Sequence, residues 1–108
     1  MKISIITATY NSAATIESCM TSVLNQTHPN IEYVIIDGAS TDETLKHIET
    51  LALKNNNIVL TTEPDQGIYD ALNKGISKAT GDILGFVHSD DLLASSTILS
   101  QIANVFKN

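Results

Sequence analysis

The sequence predicts an α/β fold: a mainly parallel sheet with helices flanking it. Three observations carry that expectation. Short apolar runs suited to strands alternate with segments of helical period from the first residues to the last. Several of the runs are almost continuously apolar, as strands covered on both faces are. Each run also ends in a cluster of polar residues. Strands joined through helices imply right-handed crossovers and strands that mostly point the same way.

The first strand is read from Ile3, Ile5 and Ile6. Ile16, Cys19, Met20, Val23 and Leu24 then fall on one face of an amphipathic helix, with Asn11 or Ser12 as candidate caps and His28-Pro29 beyond its end. A second strand, Ile31 to Ile36, runs into Asp37. Ser40 and Glu43 have the spacing of a capping box for the next helix, whose inner face is Leu45, Ile48, Leu51 and Ala52. Ile58-Val59-Leu60 is a third strand, followed by the turn-rich loop Glu63-Pro64-Asp65-Gln66-Gly67. Ile68, Ala71, Leu72, Gly75, Ile76 and Ala79 repeat with helical period, and Gly81-Asp82 ends that helix. A fourth strand, Ile83 to Val87, leads into His88-Ser89-Asp90-Asp91. A last helix is expected over 96–106, with Leu99, Ile102, Ala103 and Phe106 inward.

With 108 residues, this is expected to be one domain. A net charge of -6 speaks against a nucleic-acid partner, because no basic stripe is present to replace phosphate counterions. A single cysteine, Cys19, allows neither an internal disulfide nor a cysteine-based zinc site, and its helical spacing makes it a core residue. The N-terminal apolar run is too short and too polar for a signal peptide. No stretch approaches the ~20 apolar residues of a membrane span. The expected location is the cytoplasm, or the inner face of a membrane as a peripheral protein.

In an open parallel sheet, ligands bind beyond the carboxyl ends of the strands. Here those ends read Thr7-Ala8-Thr9-Tyr10-Asn11, Asp37-Gly38-Ala39-Ser40, Thr61-Thr62-Glu63-Pro64-Asp65 and Ser89-Asp90-Asp91. Carboxylates gathered at one sheet edge repel unless a cation joins them. A hard divalent ion sharing its shell with substrate phosphates is one occupant. The other reading is that Asp90 and Asp91 cap the turn or helix that follows. No G-x-G-x-x-G follows the first strand and no G-x-x-x-x-G-K-[ST] occurs anywhere, so neither a dinucleotide fingerprint nor a P-loop is supported.

Five segments, in this order and spacing, resemble the opening of family 2 glycosyltransferases: Thr7-Ala8-Thr9-Tyr10-Asn11, Ser22-Val23-Leu24-Asn25-Gln26-Thr27, the run from Ile36 to Thr44, the run from Glu63 to Gly75, and Ala79-Thr80-Gly81-Asp82 leading into Ser89-Asp90-Asp91. The resemblance covers essentially the whole chain. It implies the Rossmann-like, nucleotide-sugar-binding half of a GT-A fold, and inverting transfer of a sugar from a nucleoside diphosphate. Thr7, Thr9 and Asn11 would line the nucleoside pocket, and Asp37 would accept a hydrogen bond from the base or else cap its own loop. Asp90 would face the ribose or the metal shell. Asp91 would ligate Mn²⁺ or Mg²⁺. Asp70, with Asn73 and Lys74, would either contact the sugar or diphosphate or form a solvated ion pair. Tyr69 would stack on ligand or sit half-buried.

Two departures bear on the donor. Many relatives carry two acidic residues after the second strand, where this chain has Asp37 followed by Gly38. Some carry an aspartate in place of His88. A UDP-sugar is the favoured donor, and the acceptor would be a saccharide or a lipid-linked molecule. In the family the general base comes after the metal motif, and the chain ends at Asn108, so no catalytic residue is assigned. A fragment of residues 1–108, cut before the acceptor-binding half, is therefore expected, with self-association through uncovered edges. Two other readings remain: a binding module without turnover, and a nucleotidyltransferase. The second would want a glycine-rich, basic loop after the first strand, and Thr9-Tyr10-Asn11-Ser12-Ala13 is neither.

Overall fold

The computed structural model describes residues 1–107. Among them, strands and helices alternate strictly: β1 (Ile3–Thr9), α1 (Ile16–Leu24), β2 (Ile31–Asp37), α2 (Thr44–Ala52), β3 (Ile58–Thr62), α3 (Ile68–Lys78), β4 (Ile83–Phe86) and α4 (Ile98–Lys107). The sheet order is β3-β2-β1-β4 and every pairing is parallel. The chain therefore builds outward from β1 through β2 to β3, then returns by α3 to place β4 on the other side of β1. The order reverses between β1 and β4, the kind of switch point at which α/β sheets open a ligand crevice.

Side chains alternate across the sheet. Ile3 and Ile5 of β1 and Tyr33 and Ile35 of β2 pack with Ile16, Cys19, Met20 and Val23 of α1, Ile48 of α2, and Leu99 and Ala103 of α4. Ile6, Val34 and Ile36 face the other way, onto Ala71 and Leu72 of α3. The sheet is covered by three helices on one face and by α3 alone on the other. Burying each of these isoleucines contributes about 2 kcal/mol. At Gly75, α3 lies so close to β1 that an added Cβ would overlap the side chain of Ile6.

Several local expectations are corrected. Helix α1 begins at Ile16, and no side chain caps it; the carbonyl of Ser12 instead accepts the Thr15 and Ile16 N–H groups. Ser40 and Glu43 form no capping box, because the Ser40 hydroxyl is engaged by Asp37, and Asp42 takes the Thr44 N–H at 2.9 Å. Helix α4 starts at Ile98, two residues later than expected, and only Leu99 and Ala103 of its expected inner face are buried; Ile102 is 37% exposed and Phe106 63%. Its start is held by Gln26, whose amide donates to the Ser95 carbonyl at 2.6 Å and accepts from the Leu99 N–H at 3.1 Å. Among the described residues no helix is long and apolar enough to cross a membrane.

Candidate functional site: the carboxyl edge of the sheet

The loops that follow β1 and β2 are tied together. Asn11 adopts a left-handed conformation (φ 48°), which turns its side chain toward the β2 loop. There its Oδ1 accepts the Thr41 N–H at 2.8 Å, while its own N–H donates to the Ser40 hydroxyl at 2.8 Å. The Ser12 N–H reaches the Thr44 hydroxyl at 2.8 Å. Asn11 is thus a bracket between two loops.

Asp37, at the end of β2, is 0% exposed. Its Oδ1 accepts the Ser40 hydroxyl at 2.6 Å; its Oδ2 accepts the Ser40 N–H and the Thr62 hydroxyl, both at 2.9 Å. Of its two expected roles, the structure shows the cap of its own loop: the carboxylate is sealed from solvent and bonded by Ser40 and by β3. Thr7 is equally internal. Its hydroxyl donates to the Val87 carbonyl at 2.7 Å, so the Tyr33 hydroxyl, 3.0 Å away, is the donor to it. Cys19 lies beside them and donates to the His88 carbonyl at 3.2 Å. Burial pushes the Tyr33 hydroxyl and the Cys19 thiol up from their ordinary pKa values, so both stay protonated and can donate. Thr7 and Cys19 hold the backbone that leads into Ser89-Asp90-Asp91 from beneath, and the Ser12 and Ser89 hydroxyls meet at 3.0 Å above it.

Asp90 and Asp91 themselves are exposed on a turn closed by the Asp91 N–H on the His88 carbonyl at 3.0 Å. Among the described residues no lysine pairs with either. No three His, Cys, Asp or Glu side chains of the described residues converge to enclose a metal. Two adjacent free carboxylates nevertheless suit Mg²⁺ or Mn²⁺, which take hard oxygen donors and commonly fill the rest of their shell with phosphates and water.

On the α3 side of the sheet, a cavity of about 240 Å³ opens at the end of β1, lined by Ala8, Thr9, Tyr10, Asp65, Gly67, Ile68 and Ala71. Thr9 is 4% exposed; its side chain shares the face of its register partner Asp37, and its hydroxyl is the one buried side-chain polar atom of the described residues without a hydrogen-bond partner. Tyr10 presents its ring at 61% exposure. The opposite rim is the loop 63–67, braced by α3. Asp70 accepts the Gln66 N–H at 2.9 Å, and Lys74 pairs with Glu63 at 3.1 Å and with Asp70 at 3.4 Å. The Gln66 N–H, helped by Lys74, holds the Asp70 carboxyl below its usual range. Asp70 therefore sits in a loop brace. Tyr69 is exposed and does not line the cavity.

Of the residues expected at the site, Thr9 lines the cavity, Asn11 ties the β1 loop to the β2 loop, Asp90 and Asp91 are exposed, Asp70 braces the 63–67 loop, and Thr7 and Asp37 are buried in the scaffold. Asp65 and Gly67 were legible only as parts of a turn-rich loop. Their position after the third strand, at the ligand-binding end of the sheet, was the available signal.

The chain is similar to known proteins over nearly its whole length. The chain is 40% identical over 101 residues to a PGL/p-HBAD biosynthesis glycosyltransferase of Mycobacterium bovis, covering 93% of this chain and 40% of that protein. It is 36% identical over 107 residues to an uncharacterized glycosyltransferase of Haemophilus influenzae, covering 98% and 43%. It superposes on S. aureus TarS in complex with UDP-GlcNAc with a TM-score of 0.90 at 30% identity, over 99% of this chain and 31% of that one. The mannosyltransferase PcManGT of Pyrobaculum calidifontis, in complex with GDP-Man and Mn²⁺, gives 0.85 at 30% identity, over 98% and 31%. The chain thus spans about two fifths of these curated relatives and about a third of these structures. The family model described as Glycosyl transferase family 2 matches residues 4–108, and the chain belongs to that family, with the α/β architecture of its GT-A members.

Proposed function

We propose that this chain is the donor-binding part of an inverting, metal-dependent glycosyltransferase that moves a sugar from a nucleoside diphosphate sugar to an acceptor hydroxyl. The observation that carries the reading is the cavity at the end of β1, beside the switch point of the sheet, with an exposed tyrosine ring and a half-buried carboxylate among its lining residues. Relatives of the same fold hold UDP-GlcNAc, or GDP-Man with Mn²⁺, which supports a nucleotide sugar as ligand here.

In this reading Tyr10 offers a ring face for the base, and Thr9 lines the pocket beside it. Asp91 ligates Mn²⁺ or Mg²⁺, and Asp90 faces the ribose or completes the shell. The bound ion would supply Lewis-acid stabilisation of the negative charge that develops on the departing diphosphate. Thr7 and Cys19 keep the turn bearing these carboxylates in place through the Val87 and His88 carbonyls. A carboxylate general base and the saccharide or lipid-linked acceptor belong to the full-length enzyme. Leu84 and Phe86, 41% and 50% exposed on the edge strand β4, favour self-association, which concentration-dependent sedimentation would reveal.

Calorimetric titration of UDP, GDP and dTDP, in Mn²⁺ and in EDTA, tests the donor site. Binding is expected in Mn²⁺, weakened at least tenfold by EDTA and by Asp91→Ala. A folded chain that binds no diphosphate in Mn²⁺ would overturn the reading.

A further inference from the structure

We infer that Asp65, seated against Gly38 in the wall of the cavity, reads the base of the donor and selects one that presents a ring N–H, uracil in the first place. The inference rests on the donor-site reading above and gives that site its specificity. Asp65 lines the cavity. Its Oδ1 accepts the Gly67 N–H at 3.1 Å, which fixes the carboxylate relative to the loop. Among the described residues its Oδ2 has no hydrogen-bond donor. The nearest place for a further side chain is Gly38, where an added Cβ would come within 2.8 Å of that Oδ2. The absence of a side chain at 38 is what lets the Asp65 carboxylate reach in from the other rim.

The neighbouring charges leave Asp65 free for this work. Lys74, the cation of the same loop, is already shared between Glu63 and Asp70. Asp37 is sealed into the opposite face of the sheet with both its oxygens engaged. Asp65 is then the carboxylate of the cavity, and an ionised carboxylate can only accept. Uracil offers an N–H at ring position 3. Cytosine offers a lone pair there, and facing it with a carboxylate leaves two acceptors opposed. A site built on a hydrogen bond rejects the analogue that lacks it, because its own polar group is left unpaired.

The test compares UDP with CDP, which share ring size and diphosphate charge and differ at the base edge. Calorimetry of both, in Mn²⁺, would use the wild-type chain, Asp65→Asn, Asp65→Ala, and Asp65→Ala combined with Gly38→Asp, each checked for folding by thermal melting. The wild type is expected to prefer UDP by about tenfold or more, the range of one hydrogen bond to a charged group. Asp65→Asn and Asp65→Ala should lower that ratio toward one while binding stays Mn²⁺-dependent. Gly38→Asp should restore part of it, since a carboxylate on β2's end projects toward the same point. An unchanged ratio in both Asp65 variants, or no preference in the wild type, overturns the assignment of Asp65 and leaves the donor site standing. Asp91→Ala, run alongside, is expected to weaken both diphosphates alike. Loss of all diphosphate binding in the folded wild type would remove the donor site and this inference with it.

Discussion

The two faces of the sheet use the same polar vocabulary for opposite purposes. On the face covered by α1, α2 and α4, the aspartate at the end of β2 and the threonine inside β1 are buried, and each has its partners within the protein. On the face covered by α3 alone, the cavity wall presents Asp65, half-buried with one oxygen unclaimed. A satisfied buried carboxylate is scaffold, because every bond it could offer a ligand is already made. An unsatisfied one at a cavity wall is where a ligand can still gain a bond.

That contrast is broken most directly at Asp37 and Asp65. Asp37→Ala removes a fully buried carboxylate and takes the partner from the Ser40 hydroxyl and N–H and from the Thr62 hydroxyl at once. A loss of about 3 kcal/mol in stability is expected, measured by urea denaturation. Asp65→Ala removes a side chain with one bond to its own loop, and should cost under about 1 kcal/mol while changing base preference. The reverse pattern would mean that the faces have been assigned the wrong way round.

Gly75 sharpens the comparison, because it is where the binding face is packed most tightly. Gly75→Val would drive α3 off Ile6 and so move Ala71 and Ile68, which line the cavity. About 2 kcal/mol of destabilisation is expected from overpacking. Unlike Asp37→Ala, the change should also weaken diphosphate binding when measured at a temperature where the variant is fully folded. Stability lost with binding intact would mean that α3 does not shape the site.

How much of this could be read in the sequence differs between the two faces as well. The strands and their order of appearance were legible, because the runs around Ile5 and Val34 are apolar and bounded by polar turns. Asp90 and Asp91 were legible as adjacent carboxylates at a strand end, with a cation or a capped turn as the two roles open to them. Asp37 was legible only as two alternatives, partner of the base or cap of its own loop, because the bond from Thr62 arrives from another strand. Asp65 was passed over for the matching reason: its place opposite Gly38 exists only once β2 and the 63–67 loop are side by side. Caps failed in the same way, where Ser40 was drawn to Asp37 and Gln26 did the work of a cap for α4. Local spacing names the residues, and tertiary pairing decides which of them remain free.

A pH-dependent effect on stability alone is expected at the opposite end of the sheet, away from the cavity at the end of β1. Glu32 of β2 accepts the Thr80 N–H at 2.9 Å, the Thr80 hydroxyl at 3.0 Å and the Ser4 hydroxyl at 2.8 Å, with Lys2 at 3.7 Å. It thereby clamps the starts of β1 and β4 to β2. Burial opposes its ionisation, but the hydrogen bonds and Lys2 outweigh it, and its pKa falls below the ordinary 4.5. A carboxyl whose folded pKa is depressed contributes stability above its unfolded pKa and loses it as pH falls through the folded value. Thermal melting should therefore show an acid limb that begins near pH 4.5 and deepens below it, to which Glu32 contributes about 1 kcal/mol. Glu32→Gln should shallow that limb and leave both the neutral-pH affinity for diphosphates and the UDP-to-CDP ratio unchanged. An altered base preference in Glu32→Gln would show that the clamp reaches through the strands to the carboxyl edge, and the two ends of the sheet could then no longer be treated as independent.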